Sequence, residues 1–119
     1  MAAPNLIGAT TITGKTVLTN LTTATSNVLT NSSSSGTVDK LNSVMLSNYS
    51  SSAVGANVVI NRSATTYYLG GNLSIPANST LVVLAKDTGI YLEEGDVLQA
   101  NVTANSAITL TASYELISS

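Results

Sequence analysis

Apolar and polar residues alternate along most of this chain with the two-residue period of a half-buried β-strand. The clearest case lies near the end, where Ile108, Leu110 and Ala112 alternate with Thr109, Thr111 and Ser113. No window of helical length carries a 3.6-residue apolar stripe, and β-branched residues dominate. The pattern predicts strands over Thr10–Leu21 (interrupted by Gly14), Ala24–Thr30, Thr37–Asn48, Ala56–Asn61, Thr65–Ile75, Ser79–Lys86, Ile90–Leu92, Val97–Thr103 and Ala107–Ile117.

Turn chemistry separates them. Asn31-Ser32-Ser33-Ser34-Ser35-Gly36 is a polar loop whose Gly36 is free to take positive φ, and Tyr49-Ser50-Ser51-Ser52-Ala53 is another. Arg62-Ser63-Ala64, Pro76-Ala77-Asn78 and Asp87-Thr88-Gly89 are shorter turns, and Gly70-Gly71 marks a bulge or sharp bend inside its strand. Glu93-Glu94-Gly95-Asp96 reads as a tight connection with Gly95 at positive φ, and Ala104-Asn105-Ser106 as a final hairpin. Eight to nine short strands of this kind make an all-β sandwich or barrel-like fold. Its expected core is Val17, Val28, Leu41, Val44, Leu46, Val58, Ile60, Leu69, Leu81, Val83, Val97, Ile108 and Leu110.

Residues 1–9 stand apart from residues 10–119 and read as an extended N-terminal arm. Pro4 removes a backbone donor, and Leu6 and Ile7 point oppositely if the arm is extended. A free monomer would leave one of them wet, so Ala3, Pro4, Asn5, Leu6 and Ile7 are candidate contacts to a neighbouring subunit.

Composition narrows the function. The chain of 119 residues has 10 charged side chains, 8%, against about 25% in an ordinary soluble domain. Ser, Thr and Asn supply 46 positions, so the surface must be largely neutral hydroxyls and amides. Lone sheets are usually guarded by edge charges, and a chain this poor in them fits a permanent assembly in which neighbours cover the edges. Lys15, Lys40, Arg62 and Lys86 are scattered, leaving no basic stripe for nucleic acid. The longest apolar run, Leu81–Ala85, is far short of a membrane span, and the N-terminus has no basic, apolar leader pattern.

The chemistry-bearing types are mostly missing. With no His or Cys there is no imidazole base, thiol nucleophile, His/Cys zinc site or disulfide. Neither a G-x-S-x-G elbow nor a Ser-x-x-Lys dyad occurs, and Gly70-Gly71 lacks the Lys and helix of a phosphate loop. Glu93, Glu94 and Asp96 are the one concentration of carboxylates, flanked by Leu92 and Val97 as a structural turn would be. No enzyme activity, cofactor or metal is expected. Seven N-x-[ST] triplets begin at Asn20, Asn31, Asn48, Asn61, Asn72, Asn78 and Asn101. They follow from polar residues sharing one strand face at i and i+2, and glycosylation is not expected. The Thr-x-Thr pairs share no spacing that would make an ice-binding array, and Tyr67 and Tyr68 fall on opposite faces of one strand, which suits packing better than sugar stacking.

Several segments together carry a family resemblance. Met1-Ala2-Ala3-Pro4-Asn5-Leu6 with Thr13-Gly14-Lys15-Thr16, Ile75-Pro76-Ala77 followed by Thr80–Leu84, Ile90–Asp96, and Ser113-Tyr114-Glu115 resemble small virion structural proteins of tailed phages of aquatic bacteria, cyanophages among them. The resemblance spans nearly the whole chain and implies a single jelly-roll-like β-sandwich, made in the host cytoplasm and carried on the capsid exterior. It implies a capsid decoration or cement protein that binds the major capsid protein and itself, as a homotrimer. A tail, neck or fibre component is the alternative within the virion, and a carbohydrate-binding module for host adsorption is an alternative of a different class. The family offers no catalytic motif, so no site residue is carried over from it.

Overall fold

A computed structural model of the protein describes residues 11–85 and 89–118. Nine strands form among them: β1 (Thr11–Asn20), β2 (Ser26–Thr30), β3 (Thr37–Asn48), β4 (Val54–Arg62), β5 (Thr65–Ile75), β6 (Thr80–Leu84), β7 (Ile90–Leu92), β8 (Val97–Val102) and β9 (Ile108–Ser118). The arm expected over residues 1–9, with Ala3, Pro4, Asn5, Leu6 and Ile7, lies outside the described residues, as do Lys86, Asp87 and Thr88.

The chain runs out along β1–β4 and returns along β5–β9. Each returning strand pairs antiparallel with an outgoing one: β5 with β4, β6 and β7 with β3, β8 with β2, and β9 with β1. This long hairpin is rolled so that β9 also pairs β3 and β8 also pairs β4. Two antiparallel sheets result, β1-β9-β3-β6 with β7 beside β3, and β2-β8-β4-β5. That is the jelly-roll wrapping of a β-sandwich.

Local chemistry sets the turns. Arg62 pairs Thr65, so Ser63 and Ala64 form a two-residue hairpin loop with φ of 54° and 64°. Two successive positive φ values match the right-handed twist of the flanking strands. Gly95 takes φ 90° in the β7–β8 connection. At Gly70 a Cβ would lie 2.6 Å from the end of the Leu73 side chain, so any other residue there would make Leu73 shift across the bulge. The bulge expected at Gly70-Gly71 is there: β5 slips register against β4 between Ala56 and Val58 and again between Val58 and Val59.

The core fills the space between the sheets. Val28, Leu41, Val44, Leu46, Val58, Ile108 and Leu110 are buried as expected, and Val17, Ile60, Leu69, Leu81 and Val83 pack half-buried against them. Val97 does not join this core. β8 turns Leu98, Ala100 and Val102 inward, so Val97 faces outward beside Asn61 and Thr30. The turn Glu93–Asp96 enters β8 one residue out of the expected phase, which flips every side chain to the other face. A second correction concerns Ala104-Asn105-Ser106. It is not a hairpin turn, because β8 and β9 belong to different sheets and the segment crosses between them. Val38 and Ile117 are also buried, in one row with Ile12 on the outer face of the first sheet.

Candidate functional site

Rolling the hairpin leaves four sheet borders: β1 and the β6/β7 pair on one sheet, β2 and β5 on the other. Among the described residues Lys15 is the one charged side chain on these border strands. The borders carry apolar surface instead. Ile12 and Leu18 on β1, Tyr67 and Tyr68 on β5, Val82 on β6 and Tyr91 on β7 are all exposed, Leu18 and Tyr68 by about two-thirds (68% and 65%). Alternation explains why: Ile12 pairs Ile117 on the outer face, Leu18 follows the core residue Val17, and Tyr68 stands beside Val59, so each points away from the sandwich core.

Between two of these borders the sandwich seam stays open. A cleft of about 440 Å³ lies where β5 faces β7, lined by Ile60, Arg62, Tyr67, Leu69, Ile90 and Tyr91. Ile60, Tyr67 and Leu69 reach it because the β5 bulge keeps them on the inward face of their sheet, whereas Tyr68 points out beside Val59. As the sequence led us to expect, the two adjacent tyrosines therefore serve opposite faces.

Arg62 closes one end of the cleft and is held there. Its Nε and Nη2 donate to the two oxygens of Asp96 at 2.7 and 2.6 Å, and Nη2 reaches Glu93 Oε2 at 3.2 Å. The Glu93 backbone N–H also donates to Asp96 Oδ2 at 2.8 Å. Burial pushes the Asp96 carboxyl up, but the hydrogen bonds from Arg62 and Glu93 and the guanidinium charge outweigh it and hold the group below the usual range. The Asp96 hydrogen bonds in turn hold Arg62 firmly charged. Glu94 accepts from the Gly36 N–H at 2.7 Å. All three carboxylates of the turn thus fasten the β7–β8 connection to β4 and the β2–β3 loop. The partner 34 residues away was not visible in the sequence, where Arg62 is a lone charge at a strand end. Among the described residues no group of three or more His, Cys, Asp or Glu side chains is placed to hold a metal ion.

A second charged group lies inside. Asp39 on β3 is 3% exposed, beside Leu92 and Leu116 in register, and its Oδ1 has no hydrogen-bond partner. Burial raises its carboxyl above the usual range, and Lys15 only partly offsets this. Burial and the Asp39 charge likewise raise Tyr114. No alternation pattern singled out Asp39, since acid in a β3 flank reads as solvent-facing.

The N-x-[ST] asparagines include two that are buried and fully engaged. Asn31 Nδ2 donates to the Thr37 and Leu92 carbonyls at 3.0 and 2.9 Å. Asn48 Nδ2 donates to those of Ser52 and Ile75, both at 2.9 Å. Neither amide is open to modification in the folded chain. On the outer face of the second sheet, Asn101 donates to Thr25 and accepts from Asn57, whose oxygen accepts from the Asn72 N–H. These groups satisfy one another across β8, β4 and β5 and the residue that precedes β2.

No protein-family model matches the chain, and no curated protein matches it. Solved structures of similar fold include a chain from Bacillus endospore appendages, described as a novel family of disulfide-linked pili. It is 11% identical, with 100% of this chain and 96% of that one covered and a TM-score of 0.48. A pentameric capsid protein isolated from metagenomic phage sequences is 18% identical, with a TM-score of 0.41. There, 84% of this chain is covered and 59% of that one. A second structure of that description, solved by iodide phasing, matches at the same identity and score over 60% of its length.

Proposed function

We propose that this chain is a non-enzymatic structural subunit that works only as part of an assembly. The observation that carries this reading is the placement of its exposed apolar side chains. Apart from Tyr49 in the β3–β4 loop, every large exposed one among the described residues sits on a sheet border, where unpaired backbone groups also lie. A monomer that had to stay single would put charge there. Neighbouring copies laid border to border bury Ile12, Leu18, Tyr68 and Val82 and pair the free backbone edges at once.

The finer assignment follows the sequence resemblance: a decoration or cement protein on the exterior of a phage capsid, bound to the major capsid protein and to itself as a homotrimer. Residues Ala3–Ile7 supply part of the contact. The same resemblance leaves a tail, neck or fibre component as the second reading. Disulfide linkage of the kind named for the spore appendage is closed to this chain, which has no cysteine. Quantifying the chain against the major capsid protein in purified particles tests the assignment. A decoration protein gives a copy number that scales with the shell subunits, and a fixed small number per particle overturns it in favour of the tail.

A further inference from the structure

The open seam between β5 and β7 exposes what is elsewhere core. Ile60, Leu69 and Ile90 pack against the buried cluster from one side and line the cleft from the other. Its one cation, Arg62, is already matched by Asp96 and Glu93, so an occupant needs no counter-charge. Sugar recognition needs several hydrogen-bonding groups set beside the aromatic rings, and beyond the two tyrosine hydroxyls and the Nη1 end of Arg62 the lining side chains are aliphatic. The chemistry asks for aliphatic side chains on an uncharged, extended segment.

We propose that the cleft receives the N-terminal arm of a second copy of this chain, with Leu6 and Ile7 seated against Ile60, Leu69 and Ile90. The inference rests on the reading of the chain as an assembling subunit and adds the place where one copy grips the next. Residues 1–10 carry no charged side chain and bring Leu6 and Ile7 side by side. A cleft of about 440 Å³ accommodates a pair of aliphatic side chains with their backbone. The outer edge of β5, which pairs no other strand among the described residues, lies alongside to take backbone hydrogen bonds from an added strand.

Reach decides which copy supplies the arm. The arm joins β1 at Thr11, which shares its register level with Ser118 and, through it, with Thr37. Ile90 lies opposite Leu41, on the strand at the far side of the same sheet. Three strand spacings and four residues along β3 separate the two points by roughly 19 Å straight through the protein. Ile7 and Leu6 are four and five residues from Thr11, a fully extended reach of about 13 and 17 Å. The path around the surface is longer still. A copy's own Leu6 meets Ile90 only with the arm at full stretch along that line, which the β9 and β3 backbones occupy, whereas a neighbour's arm is under no such constraint.

Because the chain has no cysteine, disulfide trapping on the full-length protein has no background. One batch carries Ile7→Cys, a second Leu69→Cys, and a third the outward Val82→Cys as comparison. Tyr67→Cys, at an exposed position on the cleft, replaces Leu69→Cys if that variant melts below the parent. Under mild oxidation, mixing the Ile7→Cys and cleft chains should give a mixed dimer at least tenfold above the Val82→Cys mixture, and adding Leu6→Asp to the arm should remove that excess. Cross-linking of Ile7→Cys to Val82→Cys but not to the cleft overturns the docking place and leaves arm-mediated assembly standing. No cross-link to any partner, with unchanged particle binding when residues 2–7 are deleted, overturns both. A monomeric disulfide in the Ile7→Cys/Leu69→Cys double variant overturns the exchange between copies.

Discussion

Two asparagines and two aspartates show how individual polar residues are made to fit inside this sandwich. Asn31 and Asn48 each stand at a strand end and use both amide hydrogens on buried carbonyls, while the side-chain oxygen holds Ser35 and Thr37, or Ser50. Asn31→Ala removes a donor from each of the Thr37 and Leu92 carbonyls and should cost about 2–4 kcal/mol in urea unfolding. Asn48→Ala should cost as much, for the same reason. The aspartates pull pH dependence in opposite directions. Asp39 is raised in the fold, so its charged form costs stability near neutral pH, and that cost is relieved as pH falls through its folded value. Asp96 is lowered, so its contribution is complete above the unfolded carboxylate value and is lost as pH falls through the folded one. Asp39→Asn should therefore stabilise the protein by about 1 kcal/mol at pH 7 and flatten the profile on the neutral side. Asp96→Asn should cost about 2–3 kcal/mol at pH 7 and flatten the acid limb. Thermal melts from pH 3 to 8 read both effects.

At the scale of the strand, face and border decide what a substitution does. Leu98 is fully buried and its neighbour Val97 points out. Leu98→Ala should cost about 2–4 kcal/mol, while Val97→Thr stays within about 0.5 kcal/mol. The reverse ranking would restore the phase expected from the sequence. Gly70→Ala forces a Cβ into Leu73 and should destabilise the β5 bulge. Border residues behave differently again. Leu18→Lys and Tyr68→Lys change exposed side chains, so the melting temperature should hold while self-association measured by sedimentation falls. The strands themselves were legible: β3, β5 and β7 have the bounds their alternation predicts, and Gly95 takes the positive φ expected of it. The β8 phase was not, because Val97 and Leu98 are both apolar and either could begin the inward face.

For the whole molecule, an arm seated in a neighbour's cleft is a heterologous contact, with different surfaces on the two partners. Repeated around an axis it closes a ring such as a trimer, and without closure it runs on as a filament. Each contact is small, but a closed ring on a capsid engages several sites at once, and detachment then requires all of them to open together. Deleting residues 2–7 should leave a β-rich protein of parental cooperativity that sediments as a monomer and leaves particles faster than the full chain. A deleted chain that fails to fold would place the arm within the fold instead, and one with unchanged oligomeric mass would remove it from the assembly.

Alternation with a period of two, and turns rich in Gly, Asn and Ser, determined by themselves that this chain is a succession of short strands with one face dry. Its lack of charge determined that the borders go unguarded. These are local properties, since a strand's facing and a turn's handedness depend on residues within a few positions. Which strands pair was decided by the tertiary structure alone. The rolled hairpin joins β1 to β9 and β2 to β8 across most of the chain, and no local signal distinguishes that pairing from a meander of neighbours. The same long-range wrapping put Arg62 on Asp96, carried Asp39 into an apolar layer and left the β5–β7 seam open. Each of these joins residues whose chemistry acquires meaning only once distant segments are brought face to face.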